Sequence, residues 1–267
     1  MILSIIHGTV GLRIIPYLNL NYDIKIVTWC CIALLAALPI IPIILRSKGF
    51  EDEAVDWFSW AGYLSLGFFV LTFLAVVTKD LIYLTIGLLT KITVAIGFPS
   101  APTDPGRRDF IQKILSISIV TTTSVSTIAG LYAARKGATI MKTTVPIKGL
   151  DKDLSGITIA QVSDLHIGPT IKKGYVEKVV EQVNHLNPDI IAITGDLVDG
   201  SVGYLSKHVE PIKDLHANIG KYFVTGNHEY YSGVDQWLDK TDHYGLTNLI
   251  DSHEIITKGR GLSLIHI

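Results

Sequence analysis

Three short β-branched runs between Ile157 and Tyr231 constrain this chain more than anything else in it, because each ends in residues suited to holding metal ions. The first, Ile-Thr-Ile-Ala-Gln-Val-Ser, breaks into Asp164-Leu165-His166-Ile167-Gly168. The second, Asp-Ile-Ile-Ala-Ile-Thr, breaks into Gly195-Asp196-Leu197-Val198-Asp199-Gly200. The third, Lys-Tyr-Phe-Val-Thr, breaks into Gly226-Asn227-His228-Glu229. Continuous apolar runs bounded by Gly and Asp suit strands buried on both faces, and in open α/β sheets ligands gather where strands end. Between the first two runs, Val176, Val179, Val180, Val183 and Leu186 share one helical face over 175–186. That helix is expected to stop before Asn187-Pro188, since a residue preceding proline avoids the helical region. Weaker helical patterns follow over 202–217 and 234–244. The alternation predicts an α/β unit over 156–267, with 135–155 as a linker.

The first half is of another kind. Nearly half of all residues are hydrophobic and only 18% are charged, and the apolar excess lies almost wholly before residue 134. Residues 1–134 therefore read as a transmembrane helical region, with spans expected at about 26–45, 58–78, 81–98 and 110–133. Trp57, Trp60 and Tyr63 form an interfacial belt, and Lys91 is read as facing the helix bundle. Residues 1–12 are too short to span, and are either the tail of a longer helix or an interfacial segment. Arg107-Arg108-Asp109-Phe110-Ile111-Gln112-Lys113 fits two readings, a twin-arginine export signal with its export machinery as partner, or a basic flank to the last span. Both keep Arg107 and Arg108 on the inner side, with Arg46 and Lys48 beside them if all four spans exist. The C-terminal domain is then expected outside the cytoplasm. Cys30 and Cys31, adjacent inside an apolar run, indicate neither disulfide nor zinc site. A net charge of -1 makes nucleic acid an unlikely partner.

The chemistry of the three strand ends is that of phosphate ester hydrolysis. Two divalent metals ~3.5–4 Å apart acidify a water and clamp phosphate oxygens. They need a bridging carboxylate, further oxygen donors and imidazoles. Asp164 and His166, two apart in one loop, can turn to one metal. Asp196 is the natural bridge, and Asn227 offers an amide oxygen to the second metal. His228 would then point at substrate, as acid or as stabiliser of developing charge. Asp199 reads as a turn residue more readily than as a supporting acid, and Glu229 as a helix-start charge. Tyr230 and Tyr231 suit stacking on a substrate or packing equally well. His185, His208 and His216 read as surface or packed histidines.

Ser-Asp-Leu-His, Gly-Asp-Leu-Val-Asp-Gly and Gly-Asn-His-Glu, in this order over roughly 157–250, resemble the first three blocks of the calcineurin-like metallophosphoesterases. With membrane segments upstream, the chain looks most like the bacterial transmembrane members. The resemblance implies a four-layer α/β/β/α sandwich and a pair of Mn, Fe or Zn ions. It also implies Asp164 and His166 on one metal, Asp196 bridging, Asn227 on the other, and His228 as the catalytic histidine. The family's later histidines, including a Gly-His-x-His block, have no counterpart among His243, His253 and His266. Leu262 to Ile267 moreover reads like the translation of a sequencing-library transposon end. The domain is therefore expected to be C-terminally truncated, with each metal short of ligands.

The expected function is a phosphoesterase anchored in the bacterial inner membrane, acting on phosphate mono- or diesters, lipid-linked ones included. The rivals are an inert membrane fragment and a nuclease built on the same metal core.

Overall fold

The computed structural model describes residues 1–99 and 104–266; Ile267, the end of the expected α/β domain, lies outside them. It divides into two compact units, Met1–Ala134 and Arg135–Ile267.

The first unit is helical: α1 (Ile2–Ile14), α2 (Tyr22–Ala37), α3 (Ile40–Ser47), α4 (Glu53–Ala95) and α5 (Pro105–Arg135). The Asn21 side chain caps α2 by accepting from the Ile24 N–H at 2.9 Å, and Asp52 caps α4 through the Val55 N–H at 2.9 Å. Pro39, which has no N–H to donate, separates α2 from α3. Pro42 falls in the first turn of α3, where N–H groups lack helical partners anyway. Residues 22–47, 53–95 and 105–135 are each long and apolar enough to cross a membrane.

This corrects the expected spans at 58–78 and 81–98, which are one continuous helix of 43 residues. Lys79 and Asp80 fall between the two expected spans, yet neither removes a backbone hydrogen bond, and no proline stands there to do so. Lys91, expected to face the bundle, is exposed. If these three helices each cross once, Arg46 and Lys48 lie at the opposite end of α4 from Arg107 and Arg108. Arg46 and Lys48 then no longer support the expected outside location of the C-terminal domain, which rests on Arg107 and Arg108 alone.

The packing seam of α4 comprises Val55, Ser59, Gly62, Ser65, Phe69, Thr72 and Val76, spaced three and four apart. Small residues let membrane helices approach closely. A Cβ on Gly62 would sit 2.9 Å from the Pro39 Cα. Ser65 Oγ donates to the Leu35 carbonyl at 3.1 Å, and Thr72 Oγ1 to Thr123 Oγ1 of α5 at 3.0 Å. Helix α1 buries His7, Val10, Gly11 and Ile14, with the His7 ring stacked on Phe69 at 4.0 Å.

The second unit is α/β. Strand β1 (Ile159–Val162) leads to α6 (Lys173–His185), β2 (Ile190–Thr194), α7 (Val202–Val209), β3 (Gly220–Val224), α8 (Asn227–Ser232), α9 (Val234–His243) and β4 (Thr247–Asn248). A hairpin of β5 (His253–Lys258) and β6 (Gly261–His266) follows. The four-stranded sheet is parallel throughout, in the order β1-β2-β3-β4. Side chains alternate across it, as strands require. Ala160, Val162, Ile191, Ile193 and Phe223 join the valines of α6 and Trp237 of α9 in the main core. Ile190, Tyr222 and Val224 face the other way and meet Ile256 of the hairpin. Helices thus cover one face and the hairpin the other. The helix expected over 202–217 stops at Val209, because Pro211 turns its end into a 3-10 segment.

Candidate metal centre

A parallel sheet without register shifts brings the carboxyl ends of β1, β2 and β3 to one edge, so the loops leaving them must meet. They do so at backbone distance. A Cβ on Gly195 would lie 2.5 Å from the Gly226 nitrogen, and one on Gly168 would lie 2.8 Å from the Asp199 Cβ. A Cβ on Gly226 would run into the Asp196 carboxylate. Glycine is required where loops touch this closely. The backbone there is also unusual: Asp164 (φ 58°), His166 (φ 46°) and Asp196 (φ 51°) are left-handed without being glycine. Such conformations cost about 1 kcal/mol or more and collect at functional sites.

The turns bring Asp164, His166 and Asp196 together. His166 Nε2 lies 3.9 Å from Asp164 Oδ1 and 4.0 Å from Asp196 Oδ2, and one ligand atom from each residue falls within 4.8 Å of the others. The other nitrogen of His166 is occupied, since Nδ1 is 3.0 Å from Asp199 Oδ1. The same Asp199 oxygen is 2.5 Å from His228 Nδ1. One carboxylate oxygen accepts from both rings, so each carries its hydrogen on Nδ1 and turns Nε2 outward. A carboxylate behind an imidazole in this way orients a metal ligand and strengthens it as a base. The two rings meet edge to face at 4.5 Å, and exposed Tyr231 stands edge-on to His228 at 5.8 Å. Burial opposes charge on His166, but the hydrogen bond to Asp199 and the charges of Asp199, Asp196 and Asp164 outweigh it, so its pKa is raised.

Asn227 opens α8, exposed, one residue before His228, whose N–H donates to Asp196 Oδ1 at 3.1 Å. Glu229 is fully buried. Its carboxylate accepts from the N–H groups of Asp196 (3.0 Å), Leu197 (2.7 Å), Val198 (3.3 Å) and Gly226 (2.6 Å). It therefore ties the β2 loop to the β3 loop, beyond the helix-start role expected of it. Asp199, expected mainly as a turn residue, is the shared acceptor of both imidazoles. The spacing Asp196-x-x-Asp199 was the available signal, since a residue three on in a tight loop can return to the same side.

Two carboxylates and an imidazole whose far nitrogen is anchored form a donor set that fits a divalent cation. Fold and site together define a candidate metal centre at the edge of a parallel sheet, in the manner of metallohydrolases. Residues 157–265, most of the C-terminal unit, match the family model described as calcineurin-like phosphoesterase.

The chain is 34% identical over 145 residues to the transmembrane protein with metallophosphoesterase domain of Danio rerio, which covers 54% of this chain and 32% of that one. It is 39% identical over 130 residues to a putative metallophosphoesterase of Caenorhabditis elegans, covering 48% and 27%. To the UDP-2,3-diacylglucosamine pyrophosphatase LpxG of Chlamydia trachomatis it is 26% identical over 147 residues, covering 54% and 43%. The chain thus spans about a third of the length of the first of these relatives. No solved structure matches it.

Proposed function

We propose that the chain carries a divalent-metal-dependent phosphoester hydrolase at a membrane surface. Asp164, His166 and Asp196 would hold one ion, Asp196 and Asn227 would hold a second, and His228 would be the catalytic histidine. The observation that carries this reading is the division of labour at His166, with Nδ1 held by Asp199 and Nε2 turned to Asp164 and Asp196. Bound Mn, Fe or Zn would neutralise phosphate charge and make a water acidic enough to serve as nucleophile. The residues do the rest. Asp196 is pinned by the His228 N–H on its Oδ1 and by Glu229 behind its own N–H, which would hold its carboxylate steady for a bound cation. His228, with Nδ1 on Asp199, presents Nε2 to the substrate, where a proton can pass to the leaving alkoxide.

A lipid-linked substrate, such as a phospholipid or lipid diphosphate, is favoured by the apolar helical unit and by the pyrophosphatase among the relatives. The test is metal content and turnover of p-nitrophenyl phosphates and phospholipid headgroups by the purified chain. About two ions per chain are expected. Asp196→Asn should strip metal, whereas His228→Gln should keep it and lose about 10²–10⁴-fold in kcat. A chain that holds no metal and hydrolyses nothing is an inert module, and the reading falls.

A further inference from the structure

Away from the metal centre, the helical unit holds a cleft of about 900 Å³ among the end of α1, the middle of α4 and the start of α5. Thr72 meets Thr123, and beyond that contact Lys79 to Leu84 of α4 and Arg107 to Gln112 of α5 line the cleft together. Its lining combines apolar Val77, Leu81, Leu84 and Ile111 with the cations Arg13, Lys79, Arg107 and Arg108 and the anions Asp80 and Asp104. Asp80 is taken by two of these cations, Arg13 at 2.9 Å and Lys79 at 3.5 Å. Arg107 and Arg108 are exposed and form no ion pair among the described residues. Gln112, which also lines the cleft, is 7% exposed, and its Oε1 has no hydrogen-bond partner there. A buried amide oxygen left unpaired is costly and points to a ligand that donates to it.

The level of the cleft adds a second argument. Residues 53–78 of α4 rise about 39 Å, enough to cross ~30 Å of hydrocarbon, so Lys79 and Asp80 fall where headgroups lie. Apolar lining residues, uncompensated guanidinium groups and an orphaned acceptor at that level suit one chemistry. The ligand must have acyl chains, a phosphate and a hydroxyl. We propose that this cleft is a site for an acidic glycerophospholipid with a hydroxylated headgroup. Arg107 and Arg108 hold the phosphate, a headgroup hydroxyl donates to Gln112, and an acyl chain lies along Val77, on the bilayer side of Lys79. The twin arginines then act as a headgroup clamp, whatever chemistry the metal centre performs.

The test is native mass spectrometry of the full chain in detergent, titrated with phosphatidylglycerol, phosphatidic acid and phosphatidylcholine of one acyl composition. Phosphatidylglycerol should be held at least tenfold more tightly than phosphatidylcholine. The double variant Arg107→Gln/Arg108→Gln should erase that preference, while Lys91→Gln, a lysine elsewhere on α4, should keep it. Gln112→Leu should bring phosphatidylglycerol down to the level of phosphatidic acid, which lacks the headgroup hydroxyls. Both arginines are exposed, so the double variant tests the site even if Gln112→Leu unfolds. Three results would overturn the proposal: equal retention of charged and zwitterionic lipid, a preference that survives loss of both arginines, or full displacement by free glycerol 3-phosphate, which would make this a site for soluble phosphate.

Discussion

Replacing Glu229 by Gln isolates the tie that joins the two metal-bearing loops. The carboxylate sits fully buried, with Oε2 accepting from Asp196 and Gly226 and Oε1 from Leu197 and Val198. An amide of the same shape keeps one accepting oxygen, and its NH₂ group must face two N–H groups. Each buried N–H left unsatisfied costs about 1–3 kcal/mol, so the loss is about 2–6 kcal/mol. Were the whole amount felt as easier local opening, amide protection in the β2 loop would fall by about 30-fold to 10⁴-fold. Hydrogen exchange read by mass spectrometry on peptides covering 195–200 and 226 measures this directly. Peptides from 190–194 serve as the internal control, since their amides belong to the sheet ladder. The expected result is fast exchange at the loop with the β2 ladder unchanged. Unaltered protection at Asp196, Leu197 and Val198 in a folded variant would refute the claim that Glu229 holds them.

Other outcomes follow from the same geometry. Asp199→Asn should cost about 10–100-fold in metal affinity or turnover, because both rings lose the acceptor that fixes their hydrogens; titration calorimetry and steady-state kinetics read this, and an unchanged enzyme would show the shared oxygen to be idle. Gly226→Ala forces a methyl group onto the Asp196 carboxylate, and such overpacking costs about 1–3 kcal/mol; a lowered Tm together with weaker metal binding is expected. The raised pKa of His166 fixes the sign of a pH effect. Without metal, the charged imidazole stabilises the fold at pH below its ordinary value, and that contribution fades as pH climbs through the raised one. A cation and a proton compete for the same Nε2, so metal affinity should weaken as pH falls through that raised value. Calorimetry across neutral pH in wild type and His166→Ala checks this, and identical pH slopes in the two proteins would count against His166 as a ligand.

The sheet was legible because its signal is local. Ile159–Val162, Ile190–Thr194 and Gly220–Val224 lie inside β-branched runs with breakers at both ends, and Asn187-Pro188 closes α6 after His185 as expected. The convergence of Asp164, His166 and Asp196 could be read from strand ends alone, since parallel pairing carries them to one edge. The work of Asp199 and Glu229 could not, because each acts on residues about thirty positions away, through a loop approach that only the glycine contacts reveal. In the helical half, hydropathy gave apolar length but not continuity. A Lys-Asp pair looks like a boundary on a hydropathy scale, yet it leaves every helical hydrogen bond intact.

That continuity has a consequence for the second half of α4. The seam ends at Val76, while the helix runs on to Ala95 with every residue from Leu81 onward exposed. Past the cleft residues Leu81, Tyr83 and Leu84, no side chain of α4 from Thr85 onward is buried among the described residues, so leucine, isoleucine, valine and phenylalanine should be interchangeable there. What the stretch must match is the polarity of its surroundings, and a run of substitutions toward serine or glutamine would be felt in where the helix resides long before it was felt in how it folds.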